Sequence, residues 1–300
     1  MSLDSLPTVF VIGLPGRYRS DELEHDLSEL GVAARRSDGV LVQDSDRMRY
    51  VDDKSTKVLM RRTLTNAEIG CALAHRRVYA SFLAELADDW CIVCEDDASQ
   101  KRFDLQTIKL LDDVFARESG AIVIPLFTLA GGAIVAGAGL TGGVAQALVP
   151  PTTATAYALN RLAASEMLAN ELVRHAADWP IEATTACRFF VLAENSFEPS
   201  GAESTIGSRQ SGREPRSRTT MRRLGAVLHL RWFRYMSAYG SYRAYVLHEL
   251  VRGPAYRLGA RNGGHLVAAP GLLKVIATLG GPPRPGSSTR SPRIRQSAAR

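Results

Sequence analysis

Apolar and polar positions come in blocks along roughly the first two hundred residues of this 300-residue chain. Val9-Phe10-Val11-Ile12-Gly13-Leu14 is a continuous apolar run, the pattern of a buried strand. The pattern then turns helical: Ser20 is the predicted cap, the helix runs through Leu30, and Gly31 is its stop. A short strand is predicted over residues 32–36. The polar stretch from Gln43 to Lys57 has no apolar period and is predicted as loop. Thr65 and Glu68 have the spacing of a capping box, which starts a new helix. Ile69, Leu73, Val78, Phe82 and Leu86 follow at roughly helical spacing. Trp90 to Cys94 is a second buried strand, and it ends abruptly in Glu95-Asp96-Asp97. A helix over Leu105 to Arg117, strands over 121–127 and 152–159, and a helix capped by Asn160 and running to His175 complete the layout. Strands alternating with helices predict an α/β fold with a mostly parallel sheet covered on both faces. Binding sites in such sheets lie at the carboxyl ends of the strands.

The three adjacent acids fall at such an end. Glu95 and Asp97 are two residues apart, so extended backbone sends them to the same face. Oxygen ligands on one face suit a hard divalent cation, and such a cation can hold a diphosphate. The competing reading is an ordinary acidic turn after a strand.

The capped helix and the acidic strand together resemble the signature of glycosyltransferase family 25, the lipopolysaccharide-type sugar transferases. Glu68-Ile69-Gly70-Cys71, His75 and Glu95-Asp96-Asp97 carry the match. Ala74 stands where the family usually has Ser, and Cys94 where it usually has Leu. Weaker similarities extend the resemblance over roughly residues 8 to 208. The first strand with the nearby Arg17 is one, with Gly13 in place of the usual Asn. Arg36-Ser37-Asp38-Gly39, Thr155-Ala156-Tyr157-Ala158-Leu159, Asp178-Trp179-Pro180 and Ser204-Thr205-Ile206 are the others.

The resemblance implies a nucleotide-diphospho-sugar transferase (GT-A-like) fold. It also implies an inverting transfer of a hexose, UDP-galactose being the expected donor, to a glycan or glycolipid acceptor of lipopolysaccharide type. Mn²⁺ or Mg²⁺ would be held by Asp97 and Glu95, and donor contacts fall to Arg17, Asp38, Glu68, His75 and Asp96. Asp178 is the expected general base, with Glu182 and Glu95 behind it. His75 either positions the acidic loop or holds a backbone carbonyl from inside its helix. Two alternatives stay open: another nucleotide-sugar transferase on the same fold, and a catalytically weak homologue that acts as a membrane-surface scaffold.

Cys91 and Cys94 form a C-x-x-C, which suggests zinc or redox chemistry. Residues three apart on a strand point to opposite faces, so buried reduced thiols are the expectation. The glycines at 131, 132, 137, 139, 142 and 143 lack the Gly-Lys-Ser/Thr of a P-loop. They are read as a flexible hairpin beside the active site, with acceptor contact as the alternative.

Charge divides the chain. The formal net charge of +6 hides 18 Lys/Arg against 3 Asp/Glu in residues 201–300, and an acidic remainder. Arg231, Arg234 and Arg243 are interleaved with Leu228, Leu230, Trp232, Phe233, Tyr235 and Met236, a pattern suited to an anionic membrane surface; a solvated, basic helical appendage is the competing reading. No nucleic-acid motif accompanies the charge. The expected organisation is a catalytic domain over 1–208, a basic, partly helical appendage over 209–279, and a disordered Pro/Ser/Arg-rich tail over 280–300. No apolar run of ~20 residues and no secretory leader pattern is present. The expected place is therefore the cytoplasm, peripheral on the inner face of the membrane.

Overall fold

The structure is a computed structural model. It describes residues 6–16, 21–59, 62–128, 134–135, 143–149, 153–177, 186–201 and 266–267. Arg17, Ser20, Asp178, Glu182, Ser204-Thr205-Ile206 and nearly all of the basic stretch lie outside these residues, as do five of the six glycines of the predicted hairpin.

The elements in chain order are β1 (Val9–Gly13), α1 (Asp21–Glu29), β2 (Ala34–Asp38), α2 (Arg47–Tyr50), α3 (Asp53–Leu59), α4 (Asn66–Glu85), β3 (Trp90–Glu95), β4 (Ala98–Gln100), α5 (Leu105–Arg117), β5 (Ile122–Pro125), β6 (Ile134–Val135), β7 (Val144–Val149), β8 (Ala156–Asn160), α6 (Arg161–Met167), β9 (Arg188–Leu192), β10 (Phe197–Pro199) and β11 (Leu266–Val267). Nine strands form one sheet in the order β11-β6-β7-β9-β5-β8-β3-β1-β2. Among the described strands of this sheet, only β7 and β8 run against the common direction. The fold is mixed α/β with a mostly parallel central sheet. β4 and β10 pair antiparallel in a small second sheet.

Period-two alternation divides the core into two layers. Phe10, Ile12, Cys91 and Val93 pack with Val78, Tyr79 and Phe82 of α4 and Ala163, Ala164 and Met167 of α6. Val9, Val11, Ile92 and Cys94 pack on the other face with Leu23 and Leu27 of α1 and Ile108, Leu111 and Val114 of α5. Cys91 and Cys94 are thus buried in different layers, as their spacing predicts, and neither is in a disulfide. Burial pushes both thiols far above their ordinary pKa, which suits inert core residues.

The helix starts follow local chemistry. Thr65 accepts from the Glu68 N–H at 3.2 Å, and Glu68 accepts from the Thr65 N–H at 2.9 Å, so the predicted capping box is formed. Asp104 caps α5 at Thr107 (2.7 Å) and Asn160 caps α6 at Ala163 (3.0 Å). Gly31 ends the first helical segment with φ +74, a conformation only glycine adopts at little cost.

Two expectations need correction. The polar stretch 43–57 is not loop throughout, since it carries α2 and α3. Asp52 accepts from the Ser55 N–H at 3.0 Å at the start of α3, and Arg47 pairs with Asp53. Val51 is buried with Leu64, Ile69, Ala72 and Val173. Tertiary burial of one valine and a charge network organise a segment that has no amphipathic period of its own.

The helix capped by Asn160 stops at Met167, well short of His175. Arg76 of α4 donates to the carbonyls of Met167, Asn170 and Glu171 and so supplies donors to its end. In return Arg161 of α6 donates to the carbonyls of Phe82, Leu83 and Leu86 at the end of α4. The two helices cap one another with arginines. Val173 then leaves to bridge Val51.

β6 and β7 pair antiparallel; the glycines at 131, 132, 137, 139 and 142, expected as a hairpin beside the active site, lie outside the described residues.

Candidate functional site

Three of the sequence motifs meet at one edge of the sheet. β1 pairs in parallel with both β2 and β3, so their carboxyl ends lie side by side. Gly13 is level with Asp38, and Ile12 is level with Glu95. The Asp96 N–H donates to the Ile12 carbonyl at 2.9 Å, which fixes the acid turn against the end of β1. The Gly39 N–H donates to the Gly13 carbonyl at 2.7 Å. A Cβ on Gly39 would lie 3.2 Å from that same oxygen, so the close approach of these backbones favours glycine.

Gly70 has a sharper role. A Cβ there would overlap the Val40 carbonyl oxygen. The segment leaving β2 crosses α4 at this point, and only a residue without a side chain lets it pass. The Gly of the E-I-G-C motif therefore seats the D-G motif. Asp38 is tied to the same helix, because its carbonyl accepts from Arg77 at 2.9 Å.

The acid cluster differs from the expected arrangement. β3 ends at Glu95, and Asp96 and Asp97 form a turn into β4. The period-two argument that put Glu95 and Asp97 on one face does not carry through a turn. Glu95 shares the parity of Cys91 and Val93 and faces α4. There its Oε1 lies 3.3 Å from His75 Nε2 and 3.6 Å from Cys71 Sγ. All three acids are half-buried, and the Asp97 carbonyl accepts from the Ser200 N–H at 2.7 Å.

His75 is buried at 2 % exposure. Its Nδ1 lies 2.7 Å from the Tyr157 hydroxyl, which lies 2.6 Å from the Tyr79 hydroxyl. The imidazole thus lies between a carboxylate and a phenol, and the backbone-carbonyl alternative is not what forms. Tyr157 sits on β8 opposite Val93, so it shares the α4 face of the sheet. Burial raises the pKa of both phenols, so they stay protonated. Burial would also push the Glu95 carboxyl up. The hydrogen bonds from His75 and from the Cys71 thiol outweigh this and hold it below the ordinary glutamate value.

Glu68 is placed otherwise. Its two oxygens accept from the Arg62 guanidinium, both at 2.6 Å, in a pair that is almost fully buried. It also closes the capping box. What the structure shows of Glu68 is the anchoring of α4.

Sequence reasoning missed Cys71, Tyr157 and Arg62 as members of these networks. Cys71 had a signal: it lies four residues before His75 on a helix, hence on the same face. Tyr157 belongs to one of the weaker motifs, which assigns it no role. Arg62 had no signal, since its partner lies six residues on across a helix start.

Residues 6–119 match the family model for glycosyltransferase family 25 (LPS biosynthesis protein). This segment holds β1 through α5 and all three motifs of the sheet edge, and over it the family resemblance is shown. The match supports a glycosyltransferase. No curated protein matches the chain. Among solved structures, the chain is similar to A197 from STIV, with 12% identity over 64% of this chain and 84% of that one, at a TM-score of 0.40. It is also similar to mannose-1-phosphate geranyltransferase from Thermus thermophilus, with 12% identity over 64% and 74% of the two chains, at 0.31. Likenesses this distant say nothing of the chemistry. Among the described residues no helix is long and apolar enough to cross a membrane.

Proposed function

We propose that the protein is an inverting glycosyltransferase that moves a hexose from a nucleotide sugar to a lipopolysaccharide-type glycan or glycolipid. Galactose from UDP-galactose is the first choice. The observation that carries this reading is the row Asp38, Gly13 and Glu95-Asp96-Asp97 at the carboxyl ends of three adjacent parallel strands. Such an edge is where α/β sheets bind nucleotides.

Asp38 and Asp96 contact the donor, with Arg17 reaching its nucleoside or phosphates. Asp96 and Asp97, half-buried in one turn, supply hard oxygen atoms of the kind that Mn²⁺ or Mg²⁺ takes. Asp97 would hold the ion, whereas Glu95, turned toward His75 and Cys71, is not assigned to it. When bound, such an ion neutralises charge on the leaving nucleotide diphosphate. His75, itself held by Tyr157, and Cys71 orient Glu95 and keep it ionised. The acceptor hydroxyl must lose a proton as it attacks the anomeric carbon. Asp178, the residue directly after the described segment that ends at Ala177, is assigned that proton. The arginines and aromatics between Leu228 and Arg243 bring the enzyme to an anionic membrane surface, where a lipid-linked acceptor resides.

The test is a donor screen with the full chain against UDP-, GDP- and CDP-sugars, reading nucleotide release with and without Mn²⁺. One donor class released in a metal-dependent manner is expected. A folded protein that turns over none of them, with glycan acceptor supplied, overturns the proposal.

A further inference from the structure

Cys71, His75 and Glu95 present a thiol, an imidazole nitrogen and a carboxylate oxygen that all lie within 4.8 Å of one another. We propose that these three side chains form a binding site for a borderline-soft divalent ion of the Zn²⁺ type, chemically distinct from the hard-cation position at Asp97. The inference stands on this geometry and does not depend on the donor or the reaction.

Two of the three separations match those of a tetrahedral site, and the third is within 4.8 Å. Zinc takes thiolate sulfur at ~2.3 Å and imidazole nitrogen or carboxylate oxygen at ~2.0–2.1 Å. Two ligands on a tetrahedron are then separated by about 3.5 Å for sulfur and oxygen, and by about 3.3 Å for nitrogen and oxygen. The observed separations are 3.6 Å for Cys71 Sγ to Glu95 Oε1 and 3.3 Å for His75 Nε2 to Glu95 Oε1. Ligands need little movement to close on an ion. The donor set also selects the metal, because a thiolate with an imidazole suits zinc and disfavours Mg²⁺ and Mn²⁺. Three protein ligands leave a fourth position for water or another group.

The surroundings support the ligands. Cys71 and His75 are one helical turn apart on α4, a rigid twenty-residue element. His75 is oriented through its other nitrogen by Tyr157, the kind of outer contact that ligating histidines have. In the metal-free arrangement the carboxylate can only accept, so His75 Nε2–H donates to Glu95 and Tyr157 donates to Nδ1. On binding, the imidazole proton moves to Nδ1 and is accepted by Tyr157, whose own proton turns to the Tyr79 oxygen. The hydroxyl pair satisfies either tautomer. Cys71 binds as thiolate, so one proton leaves per ion bound. Cys71 and Glu95 are only half-buried, which leaves an approach from solvent.

The experiment is Co²⁺ and Zn²⁺ titration of the full-length reduced protein. One equivalent of Co²⁺ is expected to give a thiolate-to-metal charge-transfer band and the intense visible bands of a tetrahedral ion, both abolished by one equivalent of Zn²⁺. Affinity should rise with pH as the thiol proton is released. Cys71→Ser should remove the charge-transfer band and weaken Zn²⁺ binding by at least ~10-fold, whereas Cys187→Ser, at a core thiol outside the cluster, should keep both. Circular dichroism of each variant shows whether it is folded. Should Cys71→Ser fail to fold, alkylation of the native protein with and without Zn²⁺ gives the answer, since bound metal must protect Cys71. Absence of a stoichiometric cobalt spectrum, a band that survives Cys71→Ser, or no protection of Cys71 overturns the proposal.

Discussion

Two carboxylates meet the same helix in contrasting ways. Glu68 lies in the first turn of α4, saturated by the two arms of Arg62 and by the Thr65 N–H. Glu95 arrives at the same helix from the end of β3 and is held by a histidine and a thiol, both of which can change protonation. A fixed guanidinium makes the first pair permanent. The second cluster can exchange protons or accept a cation. One short motif thus separates into an anchor at one turn and a reactive arrangement at the next.

The strongest challenge to this contrast is Glu68→Ala. It strips a buried guanidinium of its partner and opens the capping box. A loss of about 3–5 kcal/mol in urea unfolding is expected. Arg62→Met combined with Glu68→Gln should recover much of it, because no charge is then buried alone. Equal stability of Glu68→Ala and wild type would remove the anchor role.

Next is Asp97→Asn, which keeps shape and deletes charge at the acid turn. Metal-dependent turnover should fall by at least ~100-fold, about 2.7 kcal/mol of transition-state stabilisation, with the urea midpoint nearly unchanged. Wild-type turnover in a folded variant would place the ion elsewhere.

Gly70→Ala tests the link between the two motifs. The added methyl meets the Val40 backbone, which has no rotamer to yield. A cost of about 1–3 kcal/mol is expected, as for overpacked cores. Donor affinity should weaken as well, since Asp38 stands two residues before Val40. A neutral substitution would show that the crossing segment can lift off α4.

The smallest effect is a pH signature at Glu95. Its carboxyl is held below the ordinary value in the fold, so its ionised form stabilises the native state. That contribution is complete above the unfolded glutamate pKa of ~4.3 and disappears as pH falls through the lower folded value. Glu95→Gln should therefore be less stable than wild type at neutral pH and converge with it in acid. Parallel unfolding curves for Glu95→Gln and wild type from neutral to acid would remove the His75 and Cys71 pairing.

The sequence by itself determined what is local. Spacing of Thr65 and Glu68 placed the start of α4, Asn160 placed the start of α6, and the apolar runs placed β1 and β3. The parity of Cys91 and Cys94 sent them to opposite layers. The same local reading identified the motif residues but not their company. Only the tertiary structure decided that Val51 and a charge network would order residues 47–59, and that Arg76 would end α6 early. It also decided that Arg62 would claim Glu68, that Gly70 would be a passage for Val40, and that Glu95 would turn away from Asp97 toward Cys71 and His75. The physical reason is common to all five. Caps and periodicities are written within a few residues of themselves, whereas a partner across the sheet or on the next helix exists only once the chain has closed.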